Sequence, residues 1–400
     1  MAGRGRVRVP GVVACCVLLL AGSGLVGCGG PDGGAQRAAV QRVLDRRAAA
    51  VLDRDRSAFL ATGAPSANAA DSFDHLHDVP LAAWSYRLTA LHRTGDRATA
   101  DAELRYRVQG YDREPVTAAR VLRLTRTDGR WYVGSDEPAP GTGEQLWEQG
   151  SVEVAHGAHS LVLGVGQPRY ALRAVARLAD RAVPAVSAAW GDDWPGHVVV
   201  VVPRTLNGMA GLLGAPAAGY RGIAAVTTAE TGGKAPADRI VVNPEAYGGL
   251  SEPGKQVVLT HETTHVATRA HTDAATPLWL SEGYADWIGY RGSGRTPAEV
   301  APELDRFVAQ GHLPGALPKD ADFAFAADAG KLARAYEGGW LACRMIADRW
   351  GEARLHDFYA AVGDHSRRAG AVEDALKKVL GTTAAEFTRQ WRAYLTEQLG

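Results

Sequence analysis

The sequence predicts an α+β protein made of two units that follow one another along the chain, and three observations carry this prediction. Residues 35–61 place apolar side chains at mixed three- and four-residue spacing, which is typical of an amphipathic helix. Four strand-like stretches separated by short turns come next, namely residues 83–91, 97–109, 116–126 and 131–134. Beyond residue 151, further strand patterns precede a segment that is mostly helical from residue 302 onward.

The composition sets broad limits on the partners of the protein. The 44 basic and 44 acidic residues give a formal net charge of zero, and no stretch interleaves clustered basic residues with aromatic ones. Proteins that bind nucleic acids usually carry a basic patch or stripe, so we expect no nucleic-acid partner. A chain of 400 residues is long enough for two domains, each with its own core.

The first residues have the features of an export signal. Arginines at positions 4, 6 and 8 precede an apolar stretch over residues 12–20, which is shorter than the roughly 20 residues of a spanning helix. The run Leu25-Val26-Gly27-Cys28 resembles a bacterial lipobox. This resemblance implies that residues 1–27 are a signal peptide and that Cys28 carries a lipid.

The lipobox therefore predicts an extracytoplasmic lipoprotein, anchored by its lipid to the outer face of the cytoplasmic membrane. Residues 28–35 contain four glycines and are expected to form a flexible tether. The alternatives are an ordinary secretory signal that is cut elsewhere and a short membrane anchor.

Residues 36–137 form the first predicted domain, and residues 138–150 form a predicted linker that contains proline and glycine. A helix followed by long antiparallel strands, which end in D-G-R-W-Y-V at positions 128–133, resembles the nuclear-transport-factor-like cone. The unit lacks a cluster of reactive side chains, so we interpret it as a spacer or recognition module.

The chemistry is predicted to lie in residues 151–400, where His261-Glu262-Thr263-Thr264-His265 forms an H-E-x-x-H motif. Residues four apart on a helix share a face, so His261 and His265 can bind one Zn²⁺. Glu262 is rotated off the metal axis, where its carboxylate can act as a general base on a water. The alternative is a solvated helix that happens to carry two histidines, but the apolar run at 257–259 indicates a buried helix.

A catalytic zinc site needs a third protein ligand, and a second amphipathic segment at residues 278–290 supplies the best candidate, Glu282. Asp286 lies one turn beyond Glu282 on the same face of this segment. We expect Asp286 to accept a hydrogen bond from the outer ring nitrogen of a ligand histidine. One zinc ion per chain is thus predicted at His261, His265 and Glu282.

Two stretches of this unit resemble the gluzincin metallopeptidases. The motif at 261–265 followed by W-L-S-E-G-Y-A at 279–285 is similar to the aminopeptidase N and thermolysin-like families, in which this glutamate is the third zinc ligand. The run Y-E-G-G-W-L-A-C-R-M-I at 336–346 resembles a second aminopeptidase N segment, although Gly338 replaces its lysine. The resemblance implies that Tyr336 stabilises the oxyanion, and that a small mixed sheet precedes a helical lobe.

By analogy with the gluzincin layout, the last strand before the zinc helix lines the cleft. Val241, Val242 and Asn243 are therefore expected to pair with an extended substrate backbone. The alternative is that these three residues only form part of the sheet.

Together these features predict a zinc-dependent peptidase that acts on a peptide or protein substrate. The G-x-M-E-N segment, with which the aminopeptidase N family binds the substrate amino terminus, is missing before His261. Its absence favours endopeptidase over aminopeptidase action. Two alternatives stay open: a non-catalytic binding or envelope-assembly lipoprotein on a peptidase scaffold, and a zinc hydrolase of a non-peptide bond in the cell wall.

Overall fold

The computed structural model describes residues 31–65, 68–228, 237–324 and 328–400 of the chain. The predicted signal peptide, residues 1–27, and the predicted lipidation site Cys28 lie outside the described residues. None of the described helices has an apolar stretch long enough to cross a bilayer. Helices and strands are combined as an α+β fold, which confirms the predicted fold class.

The amino-terminal unit packs helices against a four-stranded antiparallel sheet in which buried and exposed residues alternate. Gln41 fastens the first helix to the first strand, because its amide donates to the carbonyl of Tyr86 (2.8 Å) and accepts from the amide of Leu88 (2.9 Å). The elements are α1 (Pro31–Leu52), α2 (Arg56–Leu60), α3 (Asn68–Asp74), β1 (Leu81–Thr94), β2 (Arg97–Val108), β3 (Val116–Thr127) and β4 (Arg130–Pro138).

Helix α1 begins earlier than the sequence pattern indicates. The prediction of a flexible tether over residues 28–35 is wrong for residues 31–35, which form the first turn of α1. A proline is compatible with this position, because its fixed φ suits a helix and its missing N–H would have no helical partner in the first turn.

The second unit begins with a five-stranded mixed sheet whose strand order is β5-β6-β7-β9-β8. The three central strands, β6, β7 and β9, run parallel, and an antiparallel strand forms each edge. The elements are β5 (Val152–His156), β6 (Ser160–Val165), α4 (Arg169–Trp190), β7 (Val198–Val202), α5 (Leu206–Leu213), β8 (Ala225–Thr227), β9 (Ile240–Val242) and α6 (Pro244–Gly248).

The internal position of β9 contradicts one predicted site. Val241 and Val242 lie in β9, which is paired with β7 on one side and with β8 on the other. Asn243 follows the strand and is buried, and its amide donates to the carbonyls of Tyr220 (3.1 Å) and Ile223 (2.9 Å). Because both edges of β9 are occupied, Val241, Val242 and Asn243 cannot pair with an extended substrate. The edge strand on this side is β8.

The rest of the chain is a helical lobe. Its helices are α7 (Glu252–Thr268), α8 (Leu278–Tyr290), α9 (Pro297–Val300), α10 (Pro302–Ala309), α11 (Ala329–Trp350), α12 (Glu352–Gly363), α13 (Ala371–Ala375) and α14 (Ala384–Leu399). Cys343 of α11 is fully buried, and burial raises the pKa of its thiol, so this cysteine is a core residue. The lobe has its own hydrophobic core, into which Trp279, Tyr284 and Trp391 are packed.

The two units share a hydrophobic core. One set of side chains from β6 and β7 is buried in the same cluster as the apolar face of the amino-terminal sheet: Leu161, Leu163, Val199 and Val201. The alternate residues of β7 are buried with α4 and α7 in a second cluster: Val198, Val200 and Val202. Strand β7 is thus covered on both faces, as its run of five valines predicts.

The connection between the units is part of this shared core. Within the predicted linker, residues 138–150, Leu146 and Trp147 are buried. The Trp147 ring centroid lies 5.3 Å from that of Trp84 and 5.0 Å from that of Tyr106. The segment is therefore fixed between the units and is not a free linker, because these two large apolar side chains are removed from water by the amino-terminal sheet.

A buried ion pair also joins the units. The guanidinium of Arg239, which precedes β9, donates to both carboxylate oxygens of Asp112 in the amino-terminal unit, at 2.8 and 2.7 Å. The side chain of Asp112 is 1% exposed, and one of its oxygens also accepts from the amide of Val108 (2.7 Å). Removing one partner of such a pair leaves the other charge buried without compensation.

We predict that Asp112→Ala destabilises the full chain by about 3–5 kcal/mol, because Arg239 is then left buried and unpaired. Asp74→Ala is the matched control, since it removes a carboxylate from an ion pair with Arg56 that is half exposed on both sides. Denaturant unfolding of both variants checks this prediction. Equal midpoints for the two variants would show that the buried pair does not hold the units together.

Candidate metal centre

Helix α7 presents the two motif histidines on one face. Ser251 caps the helix, its hydroxyl accepting from the amide of Gly254 (3.3 Å), and this hydrogen bond fixes where the first turn starts. Ten residues further along, His261 is followed four residues later by His265, with ring centroids 4.7 Å apart. Helix α8 packs against this face of α7 and carries Glu282 and Asp286 one turn apart.

The structure brings His261, His265 and Glu282 together. The Nε2 atoms of His261 and His265 are 3.0 Å apart, and they lie 3.3 and 3.7 Å from Oε2 of Glu282. Tetrahedral zinc with bonds of about 2.0–2.1 Å requires ligand atoms about 3.3 Å apart, so this donor set has the size of a zinc site. All three side chains are largely buried. Among the described residues, they form the group of potential metal ligands whose donor atoms converge in this way.

Asp286 occupies the position that the sequence predicts for a supporting carboxylate. Its Oδ1 lies 2.8 Å from Nδ1 of His261. This contact favours the tautomer with a proton on Nδ1, and it turns the Nε2 lone pair of His261 toward Glu282 and His265. The hydrogen bond therefore orients the ring for metal binding.

The charges of the centre stabilise one another. Burial lowers the pKa of His261, but the carboxylates of Asp286 and Glu282 outweigh burial, so that the pKa lies well above its ordinary value. Burial likewise raises the pKa of Glu282, but His265 and His261 bring it below its ordinary value. Since each group favours the charged form of the other, a cation that binds here has to displace a proton from His261.

Glu262 does not join the three converging donors. Its side chain is directed to the sheet, where its Oε2 lies 2.8 Å from the hydroxyl of Thr227, a residue of β8. Both residues are buried. The carboxylate is thus fixed beside the ligand cluster without being part of it, which is the position that a general base requires.

A cavity of about 280 Å³ opens onto the cluster. One wall is formed by β8 and the loop before it, from Gly222 to Val226, and the other by side chains of α7, α8 and α11. Tyr336 lines this cavity together with His261, Glu262 and Glu282, and its ring packs against Phe323 at a centroid distance of 5.1 Å. Five of the predicted site residues of the helical lobe therefore face one space, namely His261, Glu262, Glu282, Asp286 and Tyr336. His265 does not line this cavity, but it meets His261 and Glu282 at the ligand cluster.

A neighbouring cavity shares Asp286, Tyr290 and Tyr336 with the first and is also lined by Glu337. Both carboxylate oxygens of Glu337 accept backbone N–H groups at the start of α10, 3.1 Å from Glu303 and 2.6 Å from Leu304. Burial raises the pKa of Glu337 to about 7. Glu337 therefore caps a helix next to the site, and both of its oxygens are already used for that purpose.

Sequence reasoning missed two features of the site, the edge strand β8 and the hydroxyl of Thr227. The strand pattern around residues 222–228 is visible in the sequence, but strand order is not. The signal that could have directed attention to Thr227 is a polar residue at an inward position of an otherwise apolar strand.

No family model and no curated protein matches this chain in sequence. Among solved structures, the crystal structure of an M1 zinc metallopeptidase from Deinococcus radiodurans is similar at 17% identity and a TM-score of 0.37, over 80% of this chain and 62% of that one. A mutant M1 zinc metallopeptidase from the same organism, bound to Tyr-Ser-Ala substrate, is similar at 18% identity and a TM-score of 0.34, over 79% and 61%. The chain spans about three fifths of the length of these structures.

We predict one tightly bound zinc ion per chain, with a strong loss of zinc in Glu282→Ala and full retention in Glu262→Gln. The difference is expected because Glu282 supplies one of the three converging donor atoms, whereas Glu262 faces Thr227. Metal analysis of the purified variants, together with wild type, measures this. Equal zinc in wild type and Glu282→Ala would remove Glu282 from the ligand set.

Proposed function

We propose that this protein is a zinc-dependent peptidase that hydrolyses peptide bonds. The observation that carries the proposal is a cluster of three buried donor atoms spaced as in a zinc site, next to a cavity whose wall includes a separate fixed carboxylate and an edge strand. The donors belong to His261, His265 and Glu282, and the separate carboxylate to Glu262. Hydrolytic zinc sites combine three protein ligands with a nearby general base in this way.

In this proposal, Glu262 performs the proton transfers. Zinc, when bound, acts as a Lewis acid that makes water a better nucleophile and polarises the scissile carbonyl. The Glu262 carboxylate accepts a proton as the water oxygen bonds to the carbonyl carbon, and it returns a proton to the amine as the C–N bond breaks. Asp286 keeps the His261 ring in its orientation throughout.

Tyr336 is proposed to stabilise the oxyanion that develops on the scissile carbonyl. Its presence on the wall of the cavity that holds Glu262 and Glu282 supports this role. A hydroxyl donor at such a position acts mainly on the transition state, because the negative charge is largest there.

The substrate backbone is proposed to pair with β8, the edge strand that lines the cavity, instead of with β9. Among the described residues that line this cavity, the carboxylates are Glu262, Glu282 and Asp286. In this scheme Glu262 is the base, Glu282 is a metal ligand and Asp286 orients His261, so none of them is assigned to a substrate amino terminus. This supports endopeptidase over aminopeptidase action.

We further propose that the protein acts outside the cytoplasmic membrane and is anchored to it by a lipid on Cys28. The lipobox-like run that ends at Cys28 supports this proposal. Fatty-acid labelling of wild type and Cys28→Ser tests the anchor. An unlabelled wild-type protein would exclude it.

We predict that the zinc-loaded full chain cleaves unstructured peptides internally, and that N-acetylated and free peptides are cleaved equally well. Glu262→Gln keeps the shape and the zinc but loses the base, so its turnover should fall by about 10²–10⁴-fold. Mass spectrometry of a diverse peptide mixture reads the new termini. A zinc-loaded wild type that leaves every peptide intact would contradict the proposal, and cleavage of free amino termini alone would make it an aminopeptidase.

We also predict that Tyr336→Phe lowers turnover by about 10²–10³-fold while zinc content and melting temperature stay near wild type. Tyr284→Phe is the matched control, because the Tyr284 hydroxyl is buried and has no hydrogen-bond partner among the described residues. Turnover, zinc and melting temperature are measured on the same preparations. Wild-type turnover in a folded, zinc-loaded Tyr336→Phe protein would end the oxyanion assignment.

A further inference from the structure

The contact between Thr227 and Glu262 joins the sheet to the motif helix at the carboxylate itself. The hydroxyl oxygen of Thr227 lies 2.8 Å from Oε2 of Glu262 and 3.1 Å from the backbone oxygen of the same residue. Thr227 is 2% and Glu262 is 5% exposed. The contact with Oε2 is the shorter of the two. A hydrogen bond donated to a charged carboxylate oxygen is also stronger than one donated to a neutral carbonyl oxygen.

We infer that Thr227 is a positioning residue for Glu262. Its hydroxyl donates to Oε2 and fixes the carboxylate in one orientation, so that the other oxygen, Oε1, is available for proton transfer at the metal. This inference rests on the proposed peptidase function. Thr227 contacts Glu262, which is not one of the three proposed zinc ligands, and in this scheme it acts on the reaction only through Glu262.

A fixed orientation matters because a glutamate side chain has three rotatable bonds. Transfer of a proton requires heavy atoms at about 2.6–3.2 Å, and a displacement of about 1 Å in an active site can lower the rate about 100-fold. Helix α7 fixes only the Cα of Glu262, whereas the hydrogen bond from Thr227 fixes the far end of the side chain.

Thr227 is itself held at a well-anchored point of the sheet. It lies opposite Ile240 of β9, and the next residue, Thr228, exchanges hydrogen bonds with Arg239 at 2.8 Å in each direction. Arg269, just after α7, also donates to the carbonyl of Thr228 (2.9 Å). These hydrogen bonds hold the backbone of Thr227 in place, so its hydroxyl can orient the carboxylate.

The placement on β8 has a further consequence. The proposed function pairs the substrate backbone with this same strand, so one short strand would set the position of both the scissile bond and the base. Side chains alternate along a strand, so Thr227 faces α7 with Ala225, whereas Val226 is only partly covered on the other side.

The competing interpretation is purely structural. The 3.1 Å contact with the backbone oxygen of Glu262 could fasten α7 to the sheet without any role for the carboxylate. In that case, loss of the hydroxyl would lower the melting temperature and zinc content, and kcat per zinc-loaded molecule would stay constant.

The test uses the zinc-loaded full chain with Thr227→Val, which keeps the shape and removes the hydroxyl, and Thr227→Ser, which keeps the hydroxyl. We expect Thr227→Val to lower kcat about 10–100-fold with KM, zinc content and melting temperature near wild type, and Thr227→Ser to restore most of kcat. Thr263→Val is the matched control, because the buried hydroxyl of Thr263 has no hydrogen-bond partner among the described residues. It should behave as wild type.

Two further measurements make the outcome unambiguous. In the Glu262→Gln background, Thr227→Val should cause no additional loss of kcat, because a residue that acts through Glu262 has nothing left to position. A crystal structure of Thr227→Val should show the Glu262 carboxylate displaced or in several rotamers. Thr227→Ala takes the place of Thr227→Val if the valine prevents folding.

The inference is overturned if folded, zinc-loaded Thr227→Val or Thr227→Ala keeps wild-type kcat, or if the Glu262 carboxylate stays in place in its crystal structure. It is also overturned if the variants lose only stability and zinc. A wild-type protein without peptidase activity would refute the proposed function instead, and the crystal structure would still decide whether Thr227 orients Glu262.

Discussion

The close approach of α8 and α11 is the constraint on which the site depends. A Cβ atom on Gly283 would lie 2.3 Å from the carbonyl oxygen of Gly339, and one on Gly339 would lie 2.6 Å from that of Trp279. Only glycine permits this backbone contact. Because Glu282 directly precedes Gly283, and Tyr336 comes three residues before Gly339, the contact sets the distance between the third proposed ligand and the proposed oxyanion donor.

The placement of the site residues can be predicted from the sequence where it depends on local spacing. The four-residue spacing of His261 and His265 determines that both lie on one face of α7, and the same spacing links Glu282 to Asp286. Serine, glutamate and proline at 251–253 are typical of a helix start, and the observed α7 begins at Glu252. These features need no knowledge of which segments meet in space.

The errors concern contacts between segments far apart in the sequence. The pattern of residues 240–242 identifies a strand but not its neighbours. The sequence therefore assigns the substrate-binding role to β9, whereas the cavity is lined by β8. Thr227 and Glu262 are 35 residues apart, and no local pattern relates them. The glycines and prolines before Leu146 and Trp147 are typical of a linker, and the sequence alone does not show that these two side chains are buried.

The relation between the two units follows from the valines of β7. A strand whose five residues are all apolar needs cover on both faces of the sheet. Helices α4 and α7 cover one face, and the amino-terminal unit covers the other. If that unit were only a spacer, the second face of the sheet would have no partner.

Arg239 connects the amino-terminal unit to the site. Its guanidinium binds Asp112 of that unit, and its backbone N–H donates to the hydroxyl of Thr228, the residue after β8. The amino-terminal unit thus supports, through the sheet, the strand that carries Thr227.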